Sequence, residues 1–168
     1  MGKRRRAREL VLQFLFQVDM NPPEEWKVKK EETPDSQDPR GNRKAELDDA
    51  VVERMIASFW ESFKTEGDLR PFFTQLADGV LTHKDEIDEA INGASDNWKL
   101  SRMAVVDRNI LRLSVYEILY IDDIPPSVTI NEAIEIAKRY GSADSPSFIN
   151  GILDNISTLN KEANAGKG

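Results

Sequence analysis

Lys3-Arg4-Arg5-Arg6-Ala7-Arg8 packs five cations into six residues of a 168-residue chain whose formal net charge is −7. With those five set aside, 18 Lys and Arg stand against 30 Asp and Glu, a balance of −12 for everything that follows. Guanidinium forks and an ammonium at one pole of an anionic body draw phosphates to that pole, while the rest repels them. That chemistry is recognition of a polyanion, and it points to a nucleic-acid binder with a directional grip. Cations in the first turn of a helix oppose the positive end of its dipole, so the cluster works against local stability until an anion arrives. The plainer reading is a solubilising leader. Arg8 argues against it, because it lies inside a helical repeat.

A second group of reactive types follows Lys138-Arg139-Tyr140. In Gly141-Ser142-Ala143-Asp144-Ser145, each residue alone has a local explanation: Gly141 as a helix C-cap, Ser145 as an N-cap, Asp144 as an anion near a helix start. Together, hydroxyl, carboxylate, basic and aromatic groups suit hydrogen bonding and stacking of unpaired bases, the usual route to single-stranded RNA selectivity. Phe148 falls on the apolar stripe of the next helix and reads as core before it reads as a platform. A third feature is the pair Leu12 and Phe16, one turn apart and opposite the main apolar face of the first helix. Either that helix is sandwiched between core layers, or the pair is an exposed ridge for a partner protein; both readings stay open here.

Catalytic constellations are missing from the sequence. It has no Cys and a single His, His83, so thiolate sites, cysteine nucleophiles and multi-histidine metal sites are excluded. Neither a Walker loop nor GxGxxG occurs, and no base is spaced to activate a serine. The expectation is a non-enzyme without cofactor or metal. No segment has the ~20 apolar residues of a membrane span, and the apolar run after the basic start lacks a cleavage site. A soluble, cytoplasmic protein is expected, as monomer or homodimer.

Helical periodicity organises the chain that must position these groups. Ala7, Leu10, Val11, Phe14, Leu15 and Val18 mark a first helix stopped by Asn21-Pro22-Pro23. Residues 22–45 carry many charges and few apolar groups, and read as a mobile charged loop. Leu47 to Phe63 mark a second helix. A third runs from Pro71 to Gly93 on Phe72, Phe73, Leu76, Ala77, Val80, Ile87 and Ile91. Val105 to Tyr120 is apolar on nearly every side, which makes it the hub of the core. Pro125-Pro126 forces an extended break, Thr129-x-x-Glu132 reads as a capping box, and a fifth helix ends at Gly141. Ser145-Pro146 opens the last helix, and residues 160–168 form a polar tail that frays. With no strand pattern, the class is all-α: one domain over 1–168, of six to seven helices in two packed bundles, with 1–6 as its basic tip.

RRRARE with Gln13, VDRNILRLSVYEIL and INEAIEIAKRYGSADSPSFINGILD resemble the NusB family of bacterial transcription antitermination factors, and cover most of the chain outside residues 21–45. The resemblance implies an all-α fold of helical bundles and no catalysis. It also implies binding of the boxA RNA element of ribosomal RNA operons, and pairing with the small-subunit ribosomal protein that doubles as NusE. Contact with other Nus factors and RNA polymerase would be indirect. Residue by residue, it assigns RNA contact to Arg4, Arg5, Arg6 and Arg8, with Lys3 in the same cluster, and to Asp144 and Phe148. It places Phe16, and with it Leu12, and Asp107 on the ribosomal-protein face, where an acidic Asp107 would steer a basic partner. Two rivals remain: a helical protein-protein adaptor without RNA binding, and the RNA-binding region of a ribosomal RNA methyltransferase, for whose methyl-donor domain the chain has no room.

Overall fold

The computed structural model describes residues 2–24, 49–62, 64–95 and 98–165. The predicted charged loop lies, from residue 25 onward, outside the described residues, as do Leu47 and Phe63. Those described form seven α-helices: α1 (Gly2–Met20), α2 (Asp49–Trp60), α3 (Arg70–Thr82), α4 (Lys84–Ala94), α5 (Val105–Tyr120), α6 (Pro126–Tyr140) and α7 (Ser145–Ala165), with 3-10 turns at Lys64–Leu69 and Leu100–Arg102. Among the described residues there is no strand, as the uniform 3.6-residue repeat requires. None of their helices is long and apolar enough to cross a membrane.

Two apolar clusters make the core. The first lies among α1, α2 and α3, where Phe59 stacks on Phe73 with centroids 5.2 Å apart. Phe14 and Trp60 meet Phe73 edge-on at 5.7 and 5.0 Å, the offset geometry that ring quadrupoles favour. The second gathers α4, α5, α6 and α7 around Ile87, Ile91, Ile110, Leu111, Ile136, Ile149 and Leu153. Helix α5 serves both, sending Leu113 to the first and Ile110, Leu111 and Val115 to the second. That double duty explains its all-round apolar sequence. Helix α1 spans both too, because Leu12 packs into the second cluster.

The expected third helix is two helices. It breaks at His83 (φ −104°, ψ 20°), where α3 ends and α4 begins. The buried side chains before the break belong to the first cluster and those after it to the second, and one straight rod cannot face both. Asp85 and Glu86 in the first turn of α4 suit the new helix dipole. The expected capping box is not a cap either: α6 begins at Pro126, whose missing N–H costs nothing at a first turn. Thr129 and Glu132 are therefore interior, buried residues, turned toward α1 and α5. The last helix continues through Ala165 rather than fraying from Asn160.

A polar seam ties the end of α1 to α5. Asp19 accepts hydrogen bonds from Arg108 Nε (2.7 Å), Asn109 Nδ2 (3.1 Å) and Arg112 Nη1 (3.1 Å), and Arg112 also forks onto Asp88 at 2.8 and 3.2 Å. Burial pushes the Asp19 carboxyl up, but the hydrogen bond from Arg108 and the charge of Arg112 outweigh it and hold the group below its ordinary 3.8. A depressed carboxyl stabilises the fold above its unfolded value and loses that contribution as pH falls through the folded one. Urea melts between pH 5 and 2 should show wild type losing stability below about pH 4. Asp19→Asn should start less stable at neutral pH and fall less steeply. Parallel acid limbs would contradict this.

Candidate nucleic-acid interface

The five cations all lie in the first two turns of α1, which starts at Gly2, and tertiary contacts sort them into different fates. Lys3 Nζ reaches Asp68 at 2.9 Å with both groups well exposed. The Arg4 guanidinium sits 5.0 Å above the Phe72 ring, a cation-π contact that leaves its edge to solvent. Arg6 is half-buried, and its charge acts on the Tyr140 phenol. Arg5 forks onto Glu132 of α6, Nε to Oε2 at 2.8 Å and Nη2 to Oε1 at 2.9 Å, while its side chain stays 37% exposed. The hydrogen bond from Arg5 holds the Glu132 carboxyl below its usual range.

Arg8 departs from the sequence expectation. Its side chain is only 4% exposed and forks onto Glu117 of α5, itself 1% exposed, at 2.9 and 2.7 Å. Thr129 Oγ1 donates to the same carboxylate at 3.2 Å, and Phe72 covers the guanidinium at 5.4 Å. A fork so enclosed is a structural ion pair and offers nothing to a phosphate. Signals for it were present: an arginine on an apolar stripe, and a carboxylate in the apolar second half of the hub.

The loop between α6 and α7 is held from below. Ser145 Oγ accepts from Ser142 N at 2.9 Å and donates to Asp107 Oδ1 at 2.7 Å. Asp107 thus supports the loop from the first turn of α5. Gly141 has φ −94°, so no left-handed turn demands glycine; close approach does, since a Cβ there would lie 2.5 Å from Ser145 Oγ and 2.9 Å from the Ala137 carbonyl. Asp144 is exposed, and Phe148 is half-buried against the second cluster.

The end of α6, which leads into the loop, is tied to α1 through residues absent from the predicted contact set. Glu9, buried on α1, accepts from Arg139 Nη1 at 3.2 and 3.3 Å and from the Tyr140 hydroxyl. Burial, then the bond to Glu9, pushes the Tyr140 phenol up and keeps it a protonated donor. The α1-α6 seam therefore gathers Arg5, Arg6, Arg139 and Tyr140.

The predicted ridge divides. Leu12 is 5% exposed inside the second cluster, whereas Phe16 is 40% exposed. The sandwich reading holds for Leu12, which is core and unavailable to a partner. Phe16 lines a groove of about 800 Å³ between α1 and α2 with Gln13, Met20, Arg54 and Met55.

The NusB family model matches residues 5–158. The chain belongs to the NusB family. Among NusB relatives, the transcription antitermination protein of Desulfatibacillum aliphaticivorans is 44% identical over 170 residues, covering 99% of both chains. That of Bacillus subtilis is 42% identical over 154 residues, covering 92% of this chain and 94% of the relative. Among solved structures, NusB of T. maritima aligns at TM-score 0.62 and 35% identity, over 92% of this chain and 90% of that one. A crystal structure of antitermination factors NusB and NusE with double-stranded RNA aligns at TM-score 0.70 over 95% and 98%. At 21% identity, the latter likeness establishes the NusB fold alone.

Proposed function

We propose that this chain is a non-catalytic, cytoplasmic, RNA-binding antitermination factor. It grips boxA-type single-stranded RNA of ribosomal RNA operons, pairs with the ribosomal protein acting as NusE, and acts on RNA polymerase through that assembly. One observation carries the reading: Lys3, Arg4, Arg5 and Arg6 share one end of α1 on an otherwise anionic body. Relatives named for antitermination, and a fold shared with a NusB–NusE–RNA complex, support it.

Titrating RNA against salt tests it. Four phosphate contacts predict log K falling with log salt at a slope of about −3, from roughly −0.7 per contact on single strands. Removing residues 2–6 should flatten the line, and a flat line for the intact protein refutes the grip. Single- and double-stranded probes belong in the same series, since the solved relative holds a duplex. Phe16 and Met20 on the α1-α2 groove favour a protein partner as well. If the chain were only an adaptor, the ribosomal protein would bind with RNA-independent affinity and no RNA would bind at any salt. An anionic body repels RNA, so a basic partner should raise RNA affinity. Equal affinities with and without it would remove that coupling.

A further inference from the structure

Arg139 and Tyr140 close α6 in an arrangement that neither core explains. An exposed tyrosine ordinarily buries its ring and leaves its hydroxyl in water. Tyr140 does the reverse: its hydroxyl donates to buried Glu9, while 43% of the residue stays exposed. Arg139 shares the anchor, and its guanidinium carbon stands 5.5 Å over the Tyr140 ring with 67% of the side chain in solvent. Two flat groups are thus clamped from behind by one carboxylate of the neighbouring helix. Beside Arg139 a cleft of about 260 Å³ is lined by Arg5, Glu9, Glu135 and Lys138, with Lys138 paired to Glu135 at 3.1 Å and Arg5 to Glu132.

We propose that Tyr140 and Arg139 form a stacking site for one unpaired nucleobase, with Arg5 and Lys138 facing the adjoining phosphate. Glu9 is a positioning residue: it holds the ring and the fork in place and touches no ligand. The inference rests on the RNA-binding reading and supplies its base-contacting part. A clamped ring has lost its side-chain entropy before binding, so a base gains the full stacking contribution. Stacking reads no particular base edge, so the site contributes affinity for unpaired over paired RNA.

The test compares wild type, Tyr140→Ala, Tyr140→Phe and Arg139→Ala on a boxA-like single strand carrying a fluorescent purine analogue, and on the fully paired duplex. Tyr140→Ala should weaken single-strand binding by about tenfold to a hundredfold. It should leave the salt slope and duplex affinity unchanged, and should abolish quenching of the analogue at one position. Tyr140→Phe keeps the ring and should stay within about threefold of wild type, since it loses only the clamp. Arg139→Ala should likewise weaken single-strand binding and leave the slope unchanged, because Arg5 and Lys138 face the phosphate. Tyr140→Ala with wild-type affinity and quenching overturns the proposal, as does an equal loss on the duplex. So does a loss confined to binding of the ribosomal protein, which would make the pair a protein contact. Wild type that binds no RNA at any salt refutes instead the RNA-binding reading itself. Equal thermal midpoints show that the variants are folded.

Discussion

Glu117→Ala is expected to destabilise the protein by about 3–5 kcal/mol, the cost of leaving one partner of a buried pair uncompensated. Arg8 and Glu117 are 4% and 1% exposed and bonded through two parallel N–H···O contacts. Removing the carboxylate strands a guanidinium that cannot shed its proton or reach water. Glu132, 3.9 Å from Arg8 Nη1 and already engaged by Arg5, is a poor substitute. The comparison that isolates the charge is the double variant Arg8→Met with Glu117→Leu. It should recover most of the loss, because apolar replacement of a buried pair is often neutral or stabilising. Urea midpoints at constant m-value measure both. A cost under about 1 kcal/mol for Glu117→Ala would mean a hydrated pair, and would return Arg8 to the set of groups an RNA can reach.

Glu132→Gln is expected to tighten RNA binding by about tenfold while costing the free protein some stability. In the unbound protein Arg5 is already satisfied by two bonds to Glu132, so a phosphate must displace a carboxylate before it gains that cation. Charge-assisted bonds contribute about 1.5–3 kcal/mol each, and exchanging one anion for another yields only the difference. The freed Glu132 also repels the incoming backbone. Neutralising it removes both penalties, so affinity should rise while the slope stays near about −3, because Arg5 already counts among the four phosphate contacts. Arg5→Ala should then weaken binding more in the Glu132→Gln background than in wild type. Unchanged affinity in Glu132→Gln would show that Arg5 never leaves its carboxylate, and that Lys3, Arg4 and Arg6 alone face the RNA.

These two expectations show where sequence reasoning stopped. A run of arginines announces affinity for phosphate but not which arginines are free to exercise it. Arg5 and Arg8 are three residues apart and look alike in the sequence; both meet buried carboxylates, but the side chain of Arg5 stays 37% exposed and that of Arg8 only 4%. The same limit explains Leu12 and Phe16, which share a face of α1 in any helical projection. Helix α5 and its neighbours cover the first, while the second opens on the groove beside α2. It also explains Thr129-x-x-Glu132, whose spacing fits a cap as well as it fits two buried groups turned toward α1 and α5.

Local information was enough for the helical class, for α5 as the hub, for the Ser145-Pro146 start of α7, and for a cationic pole on an anionic body. Each depends on neighbours within a few positions, where periodicity, capping and composition act directly. The break at His83, the burial of Arg8, and the clamp of Glu9 on Arg139 and Tyr140 join residues far apart in the chain, up to 131 positions for Glu9 and Tyr140. Only packing chooses among the carboxylates that a given arginine or hydroxyl can meet, because desolvation and hydrogen-bond geometry depend on which surfaces are brought together, not on the order of residues along the chain.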